Sequence, residues 1–219
     1  MSEKISFKTD DGVTIVGDYY AVESAKAFAL LLHMMPATKE AWIEFATALT
    51  NRGIASLAID ERGHGESTEG GKLNHHEFTD QEQQMKIHDV RGALSWLADR
   101  GATDSSTVVV GGSIGANLTI KIMGDRAEIK TGVALSPGLN YRGVKTDKLI
   151  KRIADDQKIL LVASDNDTHG SFECIRVLNE LRPNVTDKIE ERRIGHANDM
   201  LDAKPELIGT VVDWIEKRI

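Results

Sequence analysis

The sequence holds one cysteine, Cys174, among 219 residues. No disulfide can close within the chain, and a cysteine-stapled fold is excluded. Only 4 prolines occur, too few for a proline-rich scaffold. Positive charge is in the minority: 27 Lys and Arg face 34 Asp and Glu, a net charge of −7. A basic face that tracks phosphates is therefore not expected, and nucleic acid is not an expected partner. Apolar runs such as Ala27 to Leu32 are far too short to span a bilayer. The opening Met1-Ser2-Glu3-Lys4-Ile5 lacks the apolar core of a secretion signal. These absences make a cytoplasmic protein without a membrane partner the default expectation. What remains is ordinary for a globular chain, 41% hydrophobic and 28% charged. The length suits one α/β domain over residues 1–219.

Two kinds of periodicity follow one another. Ile5-Ser6-Phe7-Lys8 and Val13-Thr14-Ile15-Val16 alternate around Asp10-Asp11-Gly12, which predicts an antiparallel hairpin. Ala27 to Leu32 is apolar throughout, as expected of a strand buried on both faces. Lys39 to Asn51 has helical spacing, with Trp42, Phe45, Ala46 and Leu49 on one side. Apolar strands are then expected at Ile54 to Ile59, Thr107 to Val110, Lys130 to Leu135, Lys158 to Ala163 and Lys188 to Arg193. Helices are expected at Thr79 to Arg100, Ile114 to Met123, Thr146 to Ala154, Ser171 to Leu181 and Pro205 to Ile219. This alternation predicts a mostly parallel eight-stranded sheet with helices on both faces and an antiparallel edge at the N-terminus.

The sharpest local pattern is Val108-Val109-Val110-Gly111-Gly112-Ser113-Ile114-Gly115-Ala116, a β-branched strand running through Gly-x-Ser-x-Gly into a helix. A serine on so tight a turn is pushed out of the sheet, and glycines on either side relieve the crowding. The helix start leaves the Ile114 amide without an intrahelical partner, free to face a developing negative charge. A glycine-rich turn that binds phosphate is the other reading of the same residues. A serine nucleophile needs a base, and the base needs an acid to fix its tautomer. His196 directly follows the eighth expected strand and Asp167 the seventh, both at carboxyl ends, where open α/β sheets place their ligands. Asp165, two residues before Asp167, is the alternative acid.

Together these residues resemble an α/β-hydrolase along nearly the whole chain, with nucleophile, acid and histidine in the order Ser, Asp, His. Asp60-Glu61-Arg62-Gly63-His64-Gly65-Glu66-Ser67 is similar to the family's Asp-x-Arg-Gly-His-Gly-x-Ser segment. Leu31-Leu32-His33 stands where the family has its oxyanion loop. The resemblance implies Ser113 as nucleophile, Asp167 as acid, His196 as base, and the amides of Met35 and Ile114 as oxyanion hole. The loop departs from the family in carrying Met34-Met35-Pro36 where glycine usually follows the histidine, so Met34 remains an alternative donor. Met34 and His33 are placed on this loop as substrate contacts, with core packing and loop hydrogen bonding as their other readings.

The segment from Pro137 to Gln157 leaves room for a short helix and no substantial cap. The resemblance then implies a small, lidless carboxylesterase, close to the dienelactone-hydrolase-like branch but with serine for its cysteine. It would cleave esters of short to medium acyl chain, without metal or cofactor. A thioesterase, an acyl-aminoacyl peptidase, a perhydrolase and a non-catalytic binding protein are the rivals. His75-His76 read as surface loop, with a metal site as the other reading; His169 reads as exposed loop, with a place at the pocket mouth as its other reading; and His88-Asp89 reads as structural. Cys174 reads as packed. The sequence leaves the oligomeric state open.

Overall fold

The computed structural model describes residues 2–219. Strands β1 (Glu3–Lys8), β2 (Thr14–Tyr20) and β3 (Ala27–Leu32) lead into helix α1 (Ile43–Thr50). Strand β4 (Ile54–Ile59) is followed by α2 (Asp80–Gln84) and α3 (Lys86–Ala98), then β5 (Thr107–Gly112), α4 (Ile114–Asp125) and β6 (Thr131–Leu135). A small hairpin, β7 (Asn140–Tyr141) and β8 (Val144–Lys145), precedes α5 (Thr146–Leu149) and β9 (Lys158–Ser164). The chain ends with α6 (Ser171–Leu181), β10 (Thr186–Glu191), α7 (Asp199–Ala203) and α8 (Glu206–Glu216).

Eight strands form one sheet in the order β1-β2-β4-β3-β5-β6-β9-β10. The β1–β2 and β2–β4 pairs are antiparallel, and every pair from β4 to β10 is parallel. Side chains of the central strands alternate between two cores, as the pleat requires. Phe28, Leu30 and Leu32 of β3 join Ile87, Val90 and Leu97 of α3 and Leu118 and Ile122 of α4 on one face. Ala29 and Leu31 join Phe45 and Leu49 of α1 and Leu207, Val211 and Ile215 of α8 on the other. Each large side chain fully withdrawn from water contributes roughly 1.5–3 kcal/mol. The continuous apolar runs are thus explained by burial on both faces.

The fold is the expected one, with four local differences. The helix expected over Thr79 to Arg100 is two helices. At Met85 the amide is shared between the carbonyls of Gln81 and Glu82, and the His88 amide returns to Met85 at three-residue spacing, which tightens the turn. The helix expected over Thr146 to Ala154 is the single turn α5, continued to Arg152 by a 3-10 turn. The hairpin β7–β8 and the helix α7 were not expected. No large cap covers the sheet between β6 and β9.

Strand order places the site. The chain passes from β3 to β4 on one side, then crosses back to β5 on the other. The crevice at the carboxyl ends of β3 and β5 is therefore the switch point where such sheets bind ligands.

Candidate active site

Ser113 sits in that crevice on a backbone with φ 54° and ψ −115°, between β5 and α4. So strained a non-glycine residue costs on the order of 1–3 kcal/mol and persists only where its surroundings enforce it. They do so here: its amide donates to Leu135 O of β6 at 2.9 Å, and its carbonyl accepts from the Asn117 amide at 3.1 Å. The flanking glycines are required by close approach. A Cβ on Gly115 would lie 2.5 Å from Leu32 O, and one on Gly111 would collide with the Gly115 carbonyl.

His196 follows β10, and its Nδ1 lies 2.7 Å from Asp167 Oδ2. The Asp167 side chain is fully buried, and its Oδ1 accepts from the His169 amide at 2.8 Å. Burial alone would raise this carboxyl. The hydrogen bonds from His196 and the His169 amide outweigh it and hold the group below the usual carboxylate range. With Nδ1 committed to Asp167, Nε2 is the remaining ring nitrogen, and the ring lines the same cavity as Ser113. Asp165 is turned elsewhere, its Oδ1 accepting from the Arg193 amide at 2.8 Å.

The two loops are stapled together by side chains. Ser164 Oγ accepts from the Ile194 amide, and Asn166 Oδ1 from the Gly195 amide, each at 3.0 Å. On the far side of His196, the Ala197 amide donates to Ser136 Oγ at 2.9 Å.

The loop after β3 is fixed differently. His33 is fully buried, its Nε2 accepting from the Glu61 amide at 3.0 Å. Its Nδ1–H therefore donates to Met34 O at 2.8 Å. Burial holds the ring well below the usual histidine range, so it is neutral and structural. The Met34 amide donates to Asn198 Oδ1 at 3.3 Å. Neither His33 nor Met34 reaches the cavity: one ring is spent bracing the loop, and one amide is spent on Asn198. Met35 does reach it, and its peptide to Pro36 is cis.

The cavity holds about 270 Å³. Met35, Ser113, Ile114 and His196 line it together with Asn140, Tyr141 and Arg142 of the hairpin and with His169, whose ring lies 4.5 Å from that of His196. The structure thus brings together Ser113, His196, Met35 and Ile114, with Asp167 behind the histidine. It adds the β7–β8 hairpin, which the sequence reading missed. The Tyr141 ring stands edge-on to His196 at 6.4 Å, and its hydroxyl lies 2.9 Å from Ser171 Oγ. Burial pushes the Tyr141 hydroxyl up to about 12, so it stays protonated.

The segment Asp60 to Ser67 braces the site rather than lining it. Asp60 accepts from the Lys39 amide and ammonium, at 2.8 and 3.0 Å, and Arg62 Nε donates to buried Asp89 at 2.8 Å. His75 differs from its expectation as exposed loop: it is half-buried, with its ring stacked on His64 at 3.8 Å. His169 is exposed and also borders the cavity. Cys174 is half-buried, and burial raises its thiol. Among the described residues, no helix is long and apolar enough to cross a membrane.

Comparison with known proteins fits this geometry. The esterase Pf2001 of Pyrococcus furiosus has the same fold, with a TM-score of 0.79 over 100% of this chain and 93% of its own, at 19% identity. A putative α/β hydrolase of Agrobacterium tumefaciens, ATU1826, gives a TM-score of 0.78 at 20% identity, covering 99% of this chain and 96% of its own. A predicted CIB-like hydrolase of Thermoplasma acidophilum gives 0.76 at 17% identity, covering 99% and 100%. No curated protein matches the chain. The family model described as "Serine aminopeptidase, S33" matches residues 23–203. The chain therefore belongs to the serine aminopeptidase S33 family of α/β-hydrolases.

Proposed function

We propose that the protein is a serine hydrolase that cleaves carboxylic esters of short to medium acyl chain through an acyl-enzyme. The observation that carries this reading is the 2.7 Å bond between His196 and buried Asp167, with His196 and the strained Ser113 lining one cavity. Ser113 Oγ attacks the ester carbonyl as His196 Nε2 takes its proton. The amides of Ile114 and Met35 receive the charge that develops on the carbonyl oxygen. His196 returns the proton to the leaving alcohol, then activates water to release the acid. Asp167 stays ionised throughout and holds the ring in the tautomer that leaves Nε2 unprotonated. A cavity of about 270 Å³ beneath no large cap favours short acyl groups over long chains.

Hydrolysis of p-nitrophenyl esters from acetate to palmitate tests this. Activity should peak at short chains, and Ser113→Ala should lower kcat by at least about 10³-fold. Wild-type turnover in the mutant would remove Ser113 from its role. The family match favours one second reading, cleavage of aminoacyl amides by the same residues. Aminoacyl p-nitroanilides run beside the esters separate the two.

A further inference from the structure

We infer that Arg142 selects substrates with an anionic acyl group, so that the preferred ester is a half-ester of a short dicarboxylic acid. This rests on the ester-hydrolase reading and adds the class of acid that the site accepts.

Arg142 lies on the hairpin β7–β8 and lines the same cavity as Ser113. Tyr141 pairs with Val144, so Arg142 and Gly143 alone make the turn, with φ 51° and 85°. Two consecutive positive φ angles define a type I′ turn, which Asn-Gly or Gly-Gly makes with least strain. An arginine at its first position is the unfavourable choice for the turn itself, and a role for its charge accounts for it.

The turn is also rigidly placed. Buried Asn117 of α4, one turn beyond Ser113, donates to Gly138 O at 3.0 Å and Val144 O at 2.9 Å. Asn140 Oδ1 accepts from the Gly143 amide at 3.0 Å. The backbone that carries Arg142 is thereby tied to the helix that starts at Ser113.

The electrostatics point the same way. Among the described residues that line the cavity, none is a carboxylate. The one acid paired with Arg142, Asp80, is 3.6 Å away, and both side chains are more than half exposed. Such a pair is weak, and a substrate carboxylate can replace it. Residues 142–152 hold five Lys and Arg against one Asp in a chain whose net charge is −7. Lys145, Lys148 and Lys121 line the groove on the other side of the hairpin. Lys121 and Arg152 are spent on Asp125, whereas Lys145 and Lys148 pair with no carboxylate among the described residues and leave positive charge beside the hairpin that draws an anion toward it.

Two measurements separate this proposal from the reading beneath it. The first compares p-nitrophenyl hemiglutarate with p-nitrophenyl pentanoate, similar in length but differing in charge. The ratio of their kcat/KM values should exceed one, fall about tenfold in Arg142→Gln, and recover in part in Arg142→Lys. It should also shrink as salt is added. A ratio unchanged in Arg142→Gln overturns the proposal while leaving the esterase reading intact. The second is calorimetric binding of glutarate to Ser113→Ala, which needs no turnover. Binding that is lost in the Ser113→Ala, Arg142→Gln double variant supports the assignment even if every ester fails. Equal binding in both, or none in either, overturns it. A 4-acetoxybenzoate against 4-acetoxybenzamide pair tests the alcohol side, and an Arg142-dependent preference found only there refutes the acyl-side assignment.

Discussion

At the scale of single residues, the site depends on groups that do no chemistry. Asn198 takes up the Met34 amide, which leaves Met35 to supply the second proposed donor. Asn198→Ala would free the loop after β3 and let the wrong amide swing in. With a hydrogen bond worth about 1 kcal/mol, kcat should fall about 5- to 10-fold while KM changes little. Steady-state kinetics on a short ester check this, and an unchanged kcat would mean that the loop holds itself. Asn198 carries no signal in the sequence, because its partner is 164 positions away. The positions of Ser113, Asp167 and His196 were legible because each follows a strand that is itself legible. That His33 and Met34 stand off the cavity lining was not legible, because position after a strand does not say which way a side chain turns or which amide is already bonded.

At the scale of elements, those buried on one or two full faces read cleanly. Ala27 to Leu32, Ile54 to Ile59 and Ser171 to Leu181 begin and end where the apolar pattern does. The hairpin β7–β8 escaped because its Arg-Gly turn lacks the usual Asn-Gly cue and its strands are two residues each. Helix α7, five residues long, shows too little periodicity to be recognised. The start of α2 was legible for a chemical reason. Thr79 Oγ accepts from the Glu82 amide at 3.3 Å, and the Glu82 carboxylate accepts from the Thr79 amide at 2.7 Å, a reciprocal capping box. Thr79→Ala should cost about 1 kcal/mol, or about 2–4 °C in Tm for a chain of this size. Calorimetry reads the shift, and no change would mean that the turn at Met85 holds α2 without its cap.

At the scale of the molecule, stability should depend on pH through buried groups that do not line the cavity. His33 and His64 are both buried, and burial holds both rings well below the free value near ~6.5. As pH falls below that value, the unfolded chain takes up two protons that the folded chain refuses, so stability is lost. Asp89 works in the opposite sense: burial, only partly offset by Arg62, raises its carboxyl to about 6. Below pH 6 the folded state gains a proton there that the unfolded state does not yet bind. One such uptake cancels one of the two histidines, and His75, also lowered by burial, adds to the other, leaving a net loss of at least about 1.4 kcal/mol per pH unit between pH 6 and 5. Urea titrations across that range measure the slope, and His64→Asn should reduce it. An undiminished slope in that variant would assign the proton uptake to other groups.

Strand β10 closes the sheet and pairs only with β9. The proposed base is therefore carried on the margin of the molecule, while the proposed nucleophile is carried at its centre. Marginal strands fray at lower free energy than central ones. Function and fold are consequently separable: a chain that unzips by one strand keeps most of its core, and the half of the site that holds its serine, yet falls silent.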